Sequence, residues 1–321
     1  MTSSIATRYI TKRIDAITNI DNDYRAETPP IPRSVKIALT GRCNFSCAYC
    51  ARSQVLREQK GMDRALYERL AIEMRNAGVE ELGLFYLGES FMLKWLREAA
   101  AHAKQIAGFP YVFFTTSGSL ATPKRAKECM EAGLNSLKFL LNYSDAEQIV
   151  DVACVKTALS DVLINNLKES HRVRDEGVYD CGIYASYILC DGNQVERMAE
   201  MVEKVRPFVD EIYALLLYSQ ADLTGEQQID LGWTISAGNA GRAGTMRDPL
   251  PRWALFTEGH ITWDGMLSAC CFDHDGRFHK GNLQEISFAD AWKSQVFQKL
   301  RAAHLAKDVS STVCKNCVAY A

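Results

Sequence analysis

The sequence predicts an α/β protein: a partial (β/α)6 barrel followed by a small α+β module. Three observations predict it. Strand-like and helix-like patterns take turns from residue 34 to about residue 217, and repeated β-then-α units build a parallel sheet. Six such strands are too few for a closed eight-stranded barrel. After about Asp222 the pattern changes to a Gly, Asn and Ser-rich stretch, a hairpin signal and a terminal C-x2-C.

In chain order, residues 1–34 form a polar N-terminal extension ending in the extended segment Thr28-Pro29-Pro30-Ile31-Pro32. Ser34–Thr40 alternates like a strand. Asp63–Ala77 has helical periodicity, Leu82–Leu87 reads as a strand, Leu93–Ile106 as a helix and Tyr111–Thr115 as a strand. Pro123 opens a helix to Ala132. Leu137–Leu141 is a strand, and a long helix runs from about Lys156 to Arg174. Gly182–Leu189, Asn193–Arg206 and Glu211–Leu217 complete the series as strand, helix and strand. The barrel therefore spans 35–222, with a linker at 223–249 and a module at 250–321. In that module Asp264-Gly265 reads as a two-residue hairpin turn between His260–Trp263 and Met266–Cys270, and a helix covers about Phe288–Ala303.

Composition narrows the function. The 321 residues are 47% hydrophobic and 24% charged, with Lys+Arg 37 against Asp+Glu 39. A formal net charge of -2 leaves no electrostatic footprint for nucleic acid or an anionic membrane. No apolar run approaches the roughly 20 residues of a spanning helix, and Met1–Ile20 has no signal-peptide core. A cytoplasmic protein is expected. In that compartment clustered cysteines mean metal more often than disulfide. Of 11 cysteines, Cys43, Cys47 and Cys50 cluster near the start, and Cys270, Cys271, Cys314 and Cys317 near the end. Cys129, Cys154, Cys181 and Cys190 read as small buried hydrophobes. The six histidines show no metal-ligand spacing and read as unremarkable, His274 and His279 included.

Gly41–Cys50 carries C-x3-C-x2-C directly after the first strand. Three thiolates on one tight loop can hold three irons of a cubane and leave the fourth open. Such a loop lies where active sites of parallel β/α folds lie, beyond the C-terminal ends of the strands. With Tyr49 just before the last Cys, the motif resembles the radical S-adenosylmethionine (SAM) superfamily over about residues 34–220. Tyr86-Leu87-Gly88-Glu89-Ser90 looks like a variant of that family's Gly-Gly-Glu-Pro segment, with Leu87 where Gly is usual and Ser90 where Pro is usual. Thr116-Ser117-Gly118 and Ala132-Gly133-Leu134 also match. The resemblance implies a [4Fe–4S] cluster on Cys43, Cys47 and Cys50, with SAM on the open iron and reductive cleavage to a 5′-deoxyadenosyl radical. It implies that Gly88 and Glu89 meet the methionyl amine, that Ser117 and Asn142 reach the ribose or carboxylate, and that Tyr49 packs near adenine. A flavodoxin or ferredoxin would supply the electron.

The hairpin ending in Cys270-Cys271, then Gly281-Asn282, a helix and C-x2-C, resembles a SPASM or shortened twitch domain with an auxiliary [4Fe–4S] cluster. Carried over, Cys270, Cys314 and Cys317 are ligands. Arg252 stands where a further thiolate is expected, and a guanidinium cannot ligate iron. Three readings stay open: Cys271 or a remote Cys as fourth ligand, an open iron, or a lost or labile cluster. Alternation along a strand sets Cys271 opposite Cys270.

The predicted rim is rich in hydroxyl and amide groups, among them Tyr86, Asn142, Tyr184, Ser186, Tyr218 and Gln220. These suit a sugar-like small molecule. Relatives with the twitch module imply dehydrogenation or epimerisation of aminocyclitols and aminoglycosides. Epimerisation requires a hydrogen donor, for which Cys271, Cys181 and Cys190 are candidates; dehydrogenation requires an electron acceptor, which the auxiliary cluster would provide. The alternatives are modification of a ribosomally made peptide and a non-catalytic iron–sulfur or zinc protein.

Overall fold

The computed structural model describes residues 9–236, 242–245, 248 and 250–317. Six parallel strands pair in chain order: β1 (Ser34–Ile37), β2 (Glu81–Gly83), β3 (Tyr111–Thr116), β4 (Ser136–Leu140), β5 (Gly182–Leu189) and β6 (Glu211–Leu216). On the other edge of β1 the sheet continues. β7 (Glu258–Ile261) pairs parallel to β1 with Lys36 opposite His260, and β8 (Met266–Ser268) and β9 (His279–Asn282) follow antiparallel. The result is one nine-stranded sheet, β6-β5-β4-β3-β2-β1-β7-β8-β9. The partial parallel barrel of the sequence reading is present, and the C-terminal strands join it edge to edge.

Among the described residues, ten α-helices accompany the strands: α1 (Ile10–Thr18), α2 (Arg64–Ala77), α3 (Leu96–Ala101), α4 (Pro123–Glu131), α5 (Gln148–Ala153), α6 (Leu159–Glu176), α7 (Gln194–Val205), α8 (Gly225–Asp230), α9 (Phe288–Trp292) and α10 (Gln295–Leu305). Their boundaries have local causes. Asp63 caps α2 by accepting from the Leu66 amide, and Gly78 ends it in the left-handed region at φ 110°. Thr122 caps α4, with Pro123 at its first position.

Strand alternation divides core from lumen. Val35, Ile37, Leu82, Val112, Leu137 and Phe139 are fully buried in the main core. Their neighbours Lys36, Phe113, Thr115 and Lys138 line a central cavity instead.

Several expectations are corrected. The N-terminal extension contains α1, which an alternating polar pattern concealed. Ile10, Ile14 and Ile17 close the lower end of the lumen. Thr11 donates to Glu211 from its amide (3.1 Å) and its hydroxyl (2.5 Å), and Arg13 pairs with Glu81 at 2.6 Å. The predicted helix over Leu93–Ile106 is α3 followed by a π-helical turn at His102–Ile106. The second strand stops at Gly83 rather than Leu87, because the chain turns there to pass under the cysteine loop. The hairpin loop has three residues, not two: Thr262 donates to the Met266 carbonyl at 3.0 Å, and Gly265 takes φ 79°. The helix over 288–303 breaks at Ser294, the residue preceding α10. The helix expected from Lys156 begins at Leu159, after the separate α5. The expected linker opens with α8, and part of it lies outside the described residues.

Candidate active site

The loop from Gly41 to Ala51 is pinned from several directions. The Ala48 amide donates to Val152 O at 3.0 Å, and the Ala51 amide to Gln220 Oε1 at 3.0 Å. Asn44 Nδ2 donates to Ser119 Oγ at 2.8 Å, and Arg52 reaches Phe45 O at 3.3 Å. Cys50 N donates to Cys47 O at 3.0 Å, a tight turn that gathers the three thiols at the mouth of the barrel. Burial pushes all three up, Cys43 to about 11; Cys43 also feels the charge of Cys50, and Cys47 that of Cys50 and Cys43. A trio of desolvated thiols becomes thiolate when a cationic metal centre compensates the charge, so the donor set fits iron ligation. Among the described residues no three His, Cys, Asp or Glu converge tightly enough to share a single ion. Thiolates on separate irons of one cubane stand farther apart than that.

Beneath the loop lies Tyr86–Ser90. A Cβ built on Gly88 falls 2.3 Å from Thr40 O and 2.9 Å from Arg42 O, so only glycine allows this segment to touch the cysteine loop. The Glu89 amide donates to Arg42 O at 2.8 Å. Leu87 holds φ 53°, a left-handed conformation that suits the glycine usual there. The Glu89 carboxylate, 2% exposed, accepts from Ser117 N (2.7 Å), Thr116 Oγ1 (2.8 Å) and Phe91 N (3.1 Å). Burial raises its pKa against those donors. It thereby ties the ends of β2 and β3 together. Asn142 Nδ2 donates to Tyr49 OH at 2.6 Å, while its buried Oδ1 has no partner. Tyr49 itself lines the cavity.

That cavity has a volume of about 380 Å³, within the range of small-molecule sites. It runs from α1 to Tyr49 and Cys271. Its wall is more charged than the sequence reading expected. Lys36 Nζ and His260 Nε2 both meet Glu258 Oε1 at 2.8 Å. Burial opposes ionisation of Glu258, but Lys36 and His260 outweigh it and hold the carboxyl at about 2. Burial lifts Glu81 to about 7, against Arg13. It lowers Lys138 to about 7, and Lys36 lowers it further. Of the hydroxyl-rich rim, Tyr86, Tyr218 and Gln220 line this space. Sequence reasoning missed Lys36, Lys138, Glu258 and His260. A lysine at the centre of an otherwise apolar strand was the signal for the first two. His260 is not unremarkable: it is fully buried, with Nε2 2.8 Å from Glu258 Oε1.

In the C-terminal module, β8 ends at Ser268, so Cys270 and Cys271 lie in a turn and strand alternation does not separate them. The two adjacent thiols act on each other: Cys271 pushes Cys270 up, with burial and Cys317 adding to it, and Cys270 pulls Cys271 down, helped by Arg252. Cys317 thus lies within electrostatic reach of Cys270, and Cys314 within reach of Lys280. Cys271 Sγ is 3.7 Å from Arg252 Nη2, and both line the lumen. Tyr86 OH donates to Cys270 O at 2.6 Å and accepts from Asp273 N at 3.3 Å, joining barrel to module. Cys181 and Cys190 are buried near the two ends of β5, away from the cavity wall. Cys154, expected to be buried, is exposed.

Comparisons with known proteins agree with this geometry. A profile described as the Radical SAM superfamily matches residues 37–205, more than half of the chain. One described as an iron–sulfur cluster-binding domain, SPASM, matches residues 253–318. Among curated proteins, GTP 3′,8-cyclase of Mycolicibacterium smegmatis is 30% identical over 148 residues, 45% of this chain and 39% of that protein. The chain thus spans about two fifths of the length of that relative. GTP 3′,8-cyclase of Mycobacterium sp. strain KMS is 25% identical over 305 residues, 84% of this chain and 85% of that one. Among solved structures, BtrN in complex with AdoMet and 2-DOIA superposes with TM-score 0.59 at 16% identity, covering 89% of this chain and 92% of BtrN. Streptococcus suis SuiB bound to its precursor peptide SuiA gives 0.66 at 13% identity, covering 85% and 67%. These structures share the fold.

Proposed function

The chain belongs to the radical SAM superfamily and carries a SPASM-type iron–sulfur domain, and on that premise we propose that it acts on a polar, carbohydrate-like small molecule held in the barrel lumen. The observation that carries this reading is the cavity of about 380 Å³ reaching from the lumen to Tyr49 and Cys271. In this reading Cys43, Cys47 and Cys50 hold the catalytic [4Fe–4S] cluster, and Cys270, Cys314 and Cys317 an auxiliary one. When bound, SAM and its cluster supply a 5′-deoxyadenosyl radical that takes a hydrogen atom from a substrate carbon. Gly88 and Glu89 would meet the methionyl amine. Asn142 offers its unpartnered Oδ1 as an acceptor and holds Tyr49, while Ser117 stands beside Glu89. α1 keeps bulk water from the lower lumen.

Between epimerisation and dehydrogenation, the position of Cys271 favours epimerisation. Its thiol would return a hydrogen atom to the opposite face of the substrate radical. An external electron and proton, from a flavodoxin or ferredoxin, would then restore the S–H bond. Cys181 and Cys190, off the cavity wall, do not serve this role.

After anaerobic reconstitution with iron and sulfide, wild-type protein given dithionite and SAM should form 5′-deoxyadenosine, and Cys43→Ala should not. Equal yields, or none from either, would overturn the reading. In D2O, product should carry solvent deuterium in the wild type and lose it in Cys271→Ala. The curated relatives named GTP 3′,8-cyclase favour a second reading, a nucleoside triphosphate substrate. GTP-dependent 5′-deoxyadenosine formation would select it.

A further inference from the structure

The lumen has an electrostatic imbalance. Arg13 is paired with Glu81, Lys36 and His260 with Glu258, and Arg252 stands against Cys271. Lys138 is the exception. Among the described residues its amine donates to Tyr213 OH, at 3.1 Å, and has no carboxylate partner. It sits at the centre of β4, next to Tyr184 of β5, with its amine on the cavity wall. Its nearest charged influences are Lys36, of the same sign, and Glu258, already in contact with Lys36 and His260.

A buried ammonium without a counter-ion is costly. Burial, and then Lys36, lower Lys138 to about 7. A structural role would be served as well by an apolar residue, since its neighbours Leu137 and Phe139 already fill the core. Facing a cavity, the amine and the Tyr213 hydroxyl make a donor pair with room in front of it. Lys36, within electrostatic range, adds to the positive field at that point.

We propose that the substrate carries one anionic group, a carboxylate or a phosphate monoester on a polyol, seated on Lys138 and Tyr213. This rests on the lumen being the substrate site, as proposed above. An anion there completes the charge pairing of the wall, and it orients the polyol along the lumen toward Tyr49 and Cys271.

Calorimetric titration of the reconstituted holoenzyme with glucose, glucuronate and glucose 6-phosphate tests it. At least one acid should bind roughly tenfold more tightly than glucose or better, a difference of about 1.4 kcal/mol. The preference should weaken at high salt. Which acid wins identifies the anion. In Lys138→Met the preference should vanish. Should that variant fail to fold, Tyr213→Phe should narrow it several-fold. Glucose binding as well as both acids, neither acid binding, or a preference unchanged in the variants would overturn the proposal. Formation of 5′-deoxyadenosine by the wild type is measured separately. Its presence alongside a failed acid preference sinks this inference alone, whereas its absence sinks the radical SAM reading of the site.

Discussion

The two cysteine sets are assembled in opposite ways. Cys43, Cys47 and Cys50 fall within eight residues of one loop, pinned by the segments that follow β2 and β3, by α5 and by the turn after β6. Cys270, Cys314 and Cys317 are drawn from 48 residues that include a strand and two helices. Each set has a buried carboxylate behind it. Glu89 gathers the ends of β2 and β3, and Asp273 accepts from Ser268 Oγ at 2.7 Å and Phe278 N at 3.2 Å. A local set depends on one close approach. A distributed set depends on the whole module being folded.

The largest effect should come from removing the thiols. Any one of Cys43→Ala, Cys47→Ala and Cys50→Ala should bring 5′-deoxyadenosine formation to background. The triple variant of Cys270, Cys314 and Cys317 to Ala should lower bound iron from about eight to about four atoms per chain, as for two cubanes becoming one, while SAM cleavage stays measurable. Iron equal in wild type and triple variant would remove the second cluster from the comparison.

Next is a pair of glycines. In Gly88→Ala the new methyl meets a backbone carbonyl at 2.3 Å, which cannot swing aside. A cost of about 3 kcal/mol is expected, together with loss of iron from the first site. In Gly281→Ala the nearest atom is the Ala291 side chain at 2.8 Å, and α9 can shift. About 1 kcal/mol is expected there, with the first site intact. Urea unfolding and iron analysis of the two variants check this. A reversed order would mean that the cysteine loop is the more yielding of the two regions.

The same contrast explains what the sequence made legible. C-x3-C-x2-C is a short-range pattern, and the strand at Gly182–Leu189 is a long run rich in Ile and Tyr that opens on glycine; both are present as read. The partial barrel followed from counting strands. What escaped depends on distant pairing. Nothing near Lys36 announces that His260 will lie opposite it, because β1 and β7 are more than 200 residues apart. The polar rim was read from strand ends, yet the charged wall comes from strand centres, where Lys36 and Lys138 face inward. α1 was missed because its helical stripe of Ile10, Ile14 and Ile17 only acquires meaning once a lumen exists to be closed.

The smallest effect concerns Leu87, the departure from the family segment that adjoins Gly88. A non-glycine residue at φ 53° bears a steric penalty of about 1–2 kcal/mol. Leu87→Gly removes that penalty. It also adds unfolded-state freedom worth about 0.5–1 kcal/mol and strips a half-buried side chain worth about 1 kcal/mol. The terms nearly cancel, so stability should change by less than about 1 kcal/mol, with iron content unaltered. The side chain does border two spaces, the lumen and a cavity of about 40 Å³ beside Ala51–Gln59. If thermal unfolding showed a loss above about 2 kcal/mol, Leu87 would be a packing element of the loop rather than a tolerated strain. The first cysteine set would then rest on a side chain as well as on the close approach of Gly88.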